Sequence, residues 1–479
     1  MSPRAKKGGG TPFEGSGDGS ASVGDPGWVN TLKSITGASP VSSERLDVAK
    51  MIFITLVCAG HLCEPFYKIR NKPAQVFMHC IYGFHVPAFV LISGYVSGDL
   101  NAKRRRALIG GIVAPYLILH VLYSISYTRM FCEGDEFETH VHVDPVHGSS
   151  LVPPSRPRCE LVNHWSLLDT ETGTWDGWDR WTFAYPFAQL WYLVSLLTKR
   201  IWRPFALEMR YTLLVHVILG LLIGYTTVGR FLSLHRSTVH MPYFLCGYLM
   251  KKHGCFFPEA RGVASKLFSA TMLVVIFTSA YVATYTYDLK VEYWFQSDPH
   301  DVVYGEYWAY GWMFQLCLYL WTFFTMTVAF SLVPEPGSIG IIYPGEDDLG
   351  ETAGLLADAS LHGKKSKAMR RIGRYGKERD QDTFGQRFYL RLAKWGSRTL
   401  YPFVLHIAVF MLLAKYTDWY ELTWHLDGSD SRVTSRFFLS LSIALVTVIF
   451  LSLKPVTFLF KWLLEPSIGF LYSPEMQKC

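Results

Sequence analysis

Charge is scarce in this chain. Only 18% of its 479 residues are acidic or basic, while half are hydrophobic. The apolar residues come in long blocks without strand-like alternation, so a β-sheet reading has nothing to stand on. No stretch interleaves basic with aromatic residues as a nucleic-acid surface would, and the net charge of +7 implies no nucleic-acid partner by itself. The nine cysteines contain no C-x-x-C pair and no zinc-type spacing, so no metal site is expected. The opening residues lack the apolar core of a cleaved leader; residues 1–44 are Gly/Ser/Pro-rich and read as a disordered cytoplasmic tail.

What is present is hydrocarbon length. The length alone would allow two or three soluble domains, but the apolar blocks approach the ~20 residues that a helix needs to cross a bilayer. The expectation is an all-α, polytopic membrane helix bundle spanning 45–464, with about ten transmembrane helices. These fall near 49–67, 76–97, 107–130, 183–197, 213–232, 239–250, 267–287, 307–332, 399–416 and 437–464. The last contains Lys454-Pro455 and is expected to kink or break there.

Loop charges orient the bundle. Lys103–Arg106, Lys199-Arg200 with Arg203, Lys251-Lys252 and the basic 334–398 segment fall on alternate connections, which the positive-inside rule places in the cytoplasm. The 132–181 loop is acidic and falls on the opposite, lumenal or extracellular side, as do Asp298, Asp301, Asp418 and Asp427. Both termini, including the 465–479 tail, are then cytoplasmic. A Cys132–Cys159 disulfide is permitted in the acidic loop but not required. His140, His142 and His147 lie in that same solvated loop, where a metal cluster is not expected.

The first two spans each carry a histidine, His61 and His85. An ionisable side chain inside the bilayer is costly and marks a functional site by default. Lys50 and His61 are eleven residues apart, which puts both on one helix face about 16 Å from each other along the axis. Lys50 lies at the cytoplasmic mouth and His61 past the midplane, with His85 entering from the far side to a similar depth. Glu64 reads as an interfacial charge placed where it would also orient the imidazole. His120, His216 and His406 read as histidines that hydrogen-bond a neighbouring helix, and Ser93 as a small residue for close helix packing. Phosphates at the Lys103–Arg106 run and a long thin arm reaching His61 would match coenzyme A with its pantetheine.

The motifs Asp47-Val-Ala-Lys50 with Gly60-His61, Phe84-His85-Val-Pro87 leading to Ser93-Gly94-Tyr95, and Lys103–Arg106 ahead of Pro115-Tyr116 resemble those of acyltransferase family 3, in particular its sugar O-acetyltransferase-like branch. Leu190-Trp191-Tyr192-Leu193, Pro242–Tyr248 and Ser397–His406 resemble its later landmarks in order. The resemblance implies an acyl-CoA-dependent O-acyltransferase, with acetyl-CoA or another acyl-CoA as donor and a carbohydrate or other hydroxyl acceptor. It implies His61 as general base, or alternatively as a transient acyl carrier, with His85 orienting it or binding the acceptor. Lys50, Arg104, Arg105 and Arg106 would hold the CoA phosphates, and Trp175, Trp178 and Trp181 would either stack on sugar or anchor the membrane interface. A multi-pass protein of the plasma membrane or the secretory pathway is expected. The competing readings are a proton-coupled transporter, which predicts paired broken helices and internal repeats, and a catalytically silent scaffold or receptor. No convincing repeat relates the two halves.

Overall fold

The computed structural model describes residues 41–131, 183–341 and 383–466, apart from 185, 227, 229–230, 297, 418 and 420–427. The N-terminal tail up to residue 40, the acidic loop with its tryptophans, histidines, Cys132 and Cys159, most of the basic 334–398 segment, the 467–479 tail and the side chain of Lys103 lie outside the described residues.

Every regular element among the described residues is helical. In chain order the main ones are α1 (Ser43–Lys68), α2 (Lys72–Tyr82), α3 (His85–Tyr95), α4 (Ala102–Leu108), α5 (Ala114–Phe131), α6 (Trp191–Glu208), α7 (Thr212–Leu222), α8 (Leu234–Val239), α9 (Met241–Lys252), α10 (Val263–Tyr285), α11 (His300–Tyr304), α12 (Gly311–Ser331), α13 (Phe384–Gly396), α14 (Leu400–Tyr416), α15 (Ser431–Leu451) and α16 (Lys454–Leu464). Six helical stretches among the described residues are long and apolar enough to cross a membrane, or seven if the bent α13–α14 pair counts as one span. The sequence reading of about ten spans differs from this in the region of residues 183–252. There α6, α7 and α9 are short or carry charge: α9 is largely buried, whereas α7 packs on α9 and α12 and exposes Leu214, Ile218 and Leu222. The break expected at Lys454-Pro455 is present: α15 ends at Leu451 and Pro455 sits in the first turn of α16, where its missing N–H costs nothing.

Helix α1 is the axis of the bundle. Its start is capped by Ser42, whose side chain accepts from the Arg45 N–H at 3.2 Å, and Glu44 and Lys68 complement the helix dipole at its two ends. Phe53, Ile54, Cys58, Leu62 and Phe66 are fully buried along it, with α2, α3, α13, α14 and α15 packed around. The outer helices α10 and α15 expose Leu267, Phe277, Val446 and Phe450, an apolar surface suited to lipid.

In lipid, apolar burial between helices brings little transfer energy, so close packing and hydrogen bonds must hold the bundle. Glycines provide the close packing. A Cβ on Gly94 of α3 would overlap the Phe244 carbonyl of α9, and one on Gly247 would overlap the Leu91 carbonyl in return. The packing expected of Ser93 thus falls to Gly94; the Ser93 hydroxyl instead shares a 2.9 Å hydrogen bond with Tyr192. Arg45 provides a polar clamp. Its buried guanidinium donates to the carbonyls of Phe330 (2.7 Å), Val333 (2.8 Å) and Phe257 (3.0 Å) and pairs with Glu335 at 3.1 Å. It therefore satisfies the carbonyls left open where α12 ends.

The second span is broken at Gly83-Phe84 between α2 and α3. The freed Gly83 carbonyl accepts from Thr322 at 2.7 Å, so the irregular backbone is satisfied by α12, as the membrane interior demands.

Candidate active site

His61 projects from α1 beside this break. Gly60 allows the approach: a Cβ there would stand only 3.0 Å from the Tyr82 ring. Tyr82 in turn meets the His85 ring edge-on, with centroids 4.8 Å apart. His85 is buried, and its Nδ1 lies 2.6 Å from the Ile81 carbonyl. That carbonyl can only accept, so Nδ1 carries the hydrogen. The two histidines expected on consecutive spans are thus joined through Gly60 and Tyr82.

The His61 side chain is 26% exposed, and its Nδ1 lies 3.9 Å from Glu64 Oε2. The other Glu64 oxygen is 2.9 Å from Lys68 Nζ. Three residues on one face of α1 therefore form a ladder in which the carboxylate stands between imidazole and ammonium. His61 thus has Nδ1 on the side of the carboxylate, at a distance longer than a hydrogen bond.

The remaining neighbour comes from the far end of the chain. The His406 ring, on α14, lies with its centroid 5.4 Å from that of His61 and tilted by 30°. His406 is completely buried, its Nδ1 is 2.8 Å from the Pro402 carbonyl, and its Nε2 has no hydrogen-bond partner. Sequence reasoning took it for a helix-to-helix hydrogen bonder. The only hint otherwise was the Ser397–His406 landmark, which says nothing about what the ring faces. By contrast, His216 fits its structural reading, with Nδ1 at the Thr212 carbonyl and Nε2 accepting from Trp202. His120 likewise accepts from the Phe187 N–H at 3.2 Å.

A second polar region lies toward the end of the bundle that loop charges assign to the cytoplasm. Lys50 pairs with Asp47 one turn away at 2.5 Å, both half-buried. Arg104 and Arg105 are exposed and Arg106 is half-buried; the Arg104 guanidinium donates to the Asp99 carbonyl at 3.3 Å. Lys199, Arg200 and Arg203 had been read as loop charges, but they belong to α6, which runs on to Glu208. Lys199 is 1% exposed and donates to Ser195 Oγ of its own helix. Arg203, equally buried, donates to Ser97 Oγ at 2.8 Å and to the Gly98 carbonyl at 2.9 Å, and stacks over Tyr248 with its guanidinium carbon 4.6 Å from the ring centre. Arg200 lies within electrostatic reach of both Arg203 and Arg104. Arg203 also pairs with the exposed Asp99 carboxylate at 3.7 Å, whereas Lys199 is met by a hydroxyl, and a buried cation is costly without an anion beside it. Hydropathy reading counts them as topology signals and misses that they face inward.

Among the described residues no group of three or more His, Cys, Asp or Glu side chains is placed to hold a metal ion.

The family pattern described as an acyltransferase domain matches residues 43–340. No curated protein and no solved structure matches the chain. Lys50, His61, His85 and Arg104 to Arg106 fall inside the matched stretch, and His406 falls outside it. The match takes in α1 through α12, more than half of the sequence: the chain belongs to acyltransferase family 3 and is a multi-pass membrane acyltransferase.

Proposed function

We propose that this acyltransferase moves an acyl group, acetyl in the first instance, from cytoplasmic acyl-CoA to a hydroxyl of a carbohydrate-type acceptor, with His61 as general base. The observation that carries the reading is the state of His61. It is partly open, with the Glu64 carboxylate 3.9 Å away on its Nδ1 side. An imidazole with a carboxylate near one nitrogen, which favours its protonated form, is equipped to take a proton from a hydroxyl at the other. The hydroxyl oxygen attacks the thioester carbonyl, its proton passes to His61 Nε2, and the thiolate leaves and recovers that proton.

Donor phosphates would meet the basic end of the bundle. Arg104, Arg105 and Arg106 supply guanidinium groups suited to bidentate phosphate contacts. Lys50 contributes with Asp47 already on it, so its field is partly cancelled and a phosphate there would have to share the ammonium. Lys199 and Arg200 extend the basic region inward. His85, held by the Ile81 carbonyl and backed by Tyr82, would fix the acceptor side of the pocket. On this reading the protein sits in the plasma membrane or in a secretory-pathway membrane, with donor and acceptor on opposite faces.

The test is to incubate purified protein with labelled acetyl-CoA and a glycan panel, comparing wild type with His61→Ala. Acceptor labelling that requires His61 supports the reading. Labelling that survives the substitution removes His61 as base, and no turnover of acetyl-CoA in wild type removes the donor. A labelled protein that disappears with His61→Ala would favour the acyl-carrier version.

A further inference from the structure

The proposed base has a neighbour whose hydrogen-bonding state is unusual. His406 Nδ1 must carry a hydrogen, because it faces the Pro402 carbonyl at 2.8 Å. In a neutral ring Nε2 is then a bare lone pair. Because Nδ1 is tied to its own helix, Nε2 on the other side of the ring turns away from that helix. It is buried and has no partner. Buried acceptors in folded proteins are nearly always satisfied, so an orphan beside a working group calls for an explanation.

The explanation lies in the protonation state of His61. As a base His61 rests neutral, and with its hydrogen on Nδ1, the nitrogen 3.9 Å from the Glu64 carboxylate, it also presents a lone pair at Nε2. Two lone pairs cannot bond each other, and none of the hydrogen bonds formed by these rings joins them. Adding one proton changes this: an imidazolium at His61 has an N–H for Glu64 and a second N–H that His406 Nε2 can accept. The ring centroids are 5.4 Å apart, close enough for the two Nε2 atoms to meet once they point along the line between the rings, and catalytic hydrogen bonds commonly tighten only during reaction.

We propose that His406 is a positioning residue that stabilises the protonated form of His61: its Nε2 accepts a hydrogen bond from the proton that His61 removes from the acceptor hydroxyl. The inference rests on His61 acting as general base. In the step, the acceptor C–O bond to the acyl carbon forms as the hydroxyl O–H breaks. The proton is held at His61 between Glu64 and His406 until the C–S bond breaks, and it then returns to the thiolate sulfur. No proton is gained or lost overall. The hydrogen bond exists in the reacting state and is absent in the resting state, so its whole value goes to rate rather than to donor affinity.

The experiment compares His406→Leu, which fills the space without an acceptor, with His406→Gln, which restores an acceptor oxygen, alongside His61→Ala. Acetyl-CoA consumption and labelling of the glycan panel are followed in detergent, with thermal unfolding measured in parallel. His406→Leu should lower kcat about tenfold to a hundredfold, the range for a hydrogen bond to a charged group, with KM for acetyl-CoA unchanged. His406→Gln should recover most of the loss. Equal losses in Leu and Gln variants, a change confined to KM, or a rate loss that tracks a lower unfolding temperature would make His406 merely structural and overturn the inference. If His61→Ala abolishes turnover while His406→Leu turns over as wild type does, this inference falls and the base stands. If His61→Ala keeps its activity, the base reading itself falls.

Discussion

Gly396 lies directly against the main-chain carbonyl of Asp47, with no room for a Cβ between them. This contact fastens α13 to the first turns of α1. The chain then bends by 77° into α14, which returns along α1 to deliver His406 beside His61. The contact thus sets where the second imidazole arrives. Gly396→Ala should push α13 off α1 and cost about 1–3 kcal/mol of stability through overpacking. Transfer should fall more than folding does, which parallel thermal unfolding and acetyl-CoA turnover would reveal.

His61→Ala should reduce transfer by about 10²- to 10⁴-fold, the usual contribution of a general base. Donor binding, measured by retention of labelled acetyl-CoA, should persist.

Glu64→Gln keeps shape but removes the charge that faces His61 Nδ1 and Lys68. Because the present separation is 3.9 Å, the loss should be milder than for a tightly bonded catalytic pair, about twofold to fivefold in kcat. A kcat equal to wild type would show that the carboxylate serves only the interface.

Much of this site was legible before any coordinates. Lys50 and His61 share a face of α1 because a continuous helix carries both, and an eleven-residue spacing suffices to say so. His85 could be placed at similar depth because a span must return through the same bilayer. The partnership of His61 with His406 could not be read, since it depends on how α14 folds back after a bend at residues 397–399. Arg45 was equally opaque: its acceptors are main-chain carbonyls near residues 257 and 330–333, and carbonyls leave no trace in a sequence. The helix count near residues 183–252 turns on how short apolar segments are weighed, since α7 is apolar but only 11 residues long and α9 is largely buried.

Arg45→Met removes a buried cation that holds three carbonyls and Glu335. Breaking such a cluster leaves the remaining partners unsatisfied and should cost about 3–5 kcal/mol. Arg45→Lys should recover only part, since one ammonium cannot reproduce the forked contacts. Thermal unfolding in detergent distinguishes the two.

At the opposite end, Lys72 donates to Asp288 at 2.7 Å and holds its carboxyl below the ordinary carboxylate range. A depressed folded-state pKa means that the contribution is complete above about pH 4 and fades as pH falls below the ordinary aspartate value. The pair is largely exposed, so solvent screening keeps the effect to a few tenths of a kcal/mol. Asp288→Asn should therefore unfold slightly earlier than wild type near neutrality and indistinguishably near pH 3. A gap that widened in acid would contradict the pairing.

The meeting of His61 and His406 also bears on how a damaged copy of this gene would behave. The match to the family pattern ends at residue 340, yet the chemistry as proposed does not. A premature stop anywhere between there and His406 would leave a product that still carries the recognisable domain, with His61, Glu64 and His85 all in place. Such a product would score as a family member while lacking the helix that packs beside its base. For alleles of this protein, the reading frame beyond the recognised domain is as informative as the domain itself.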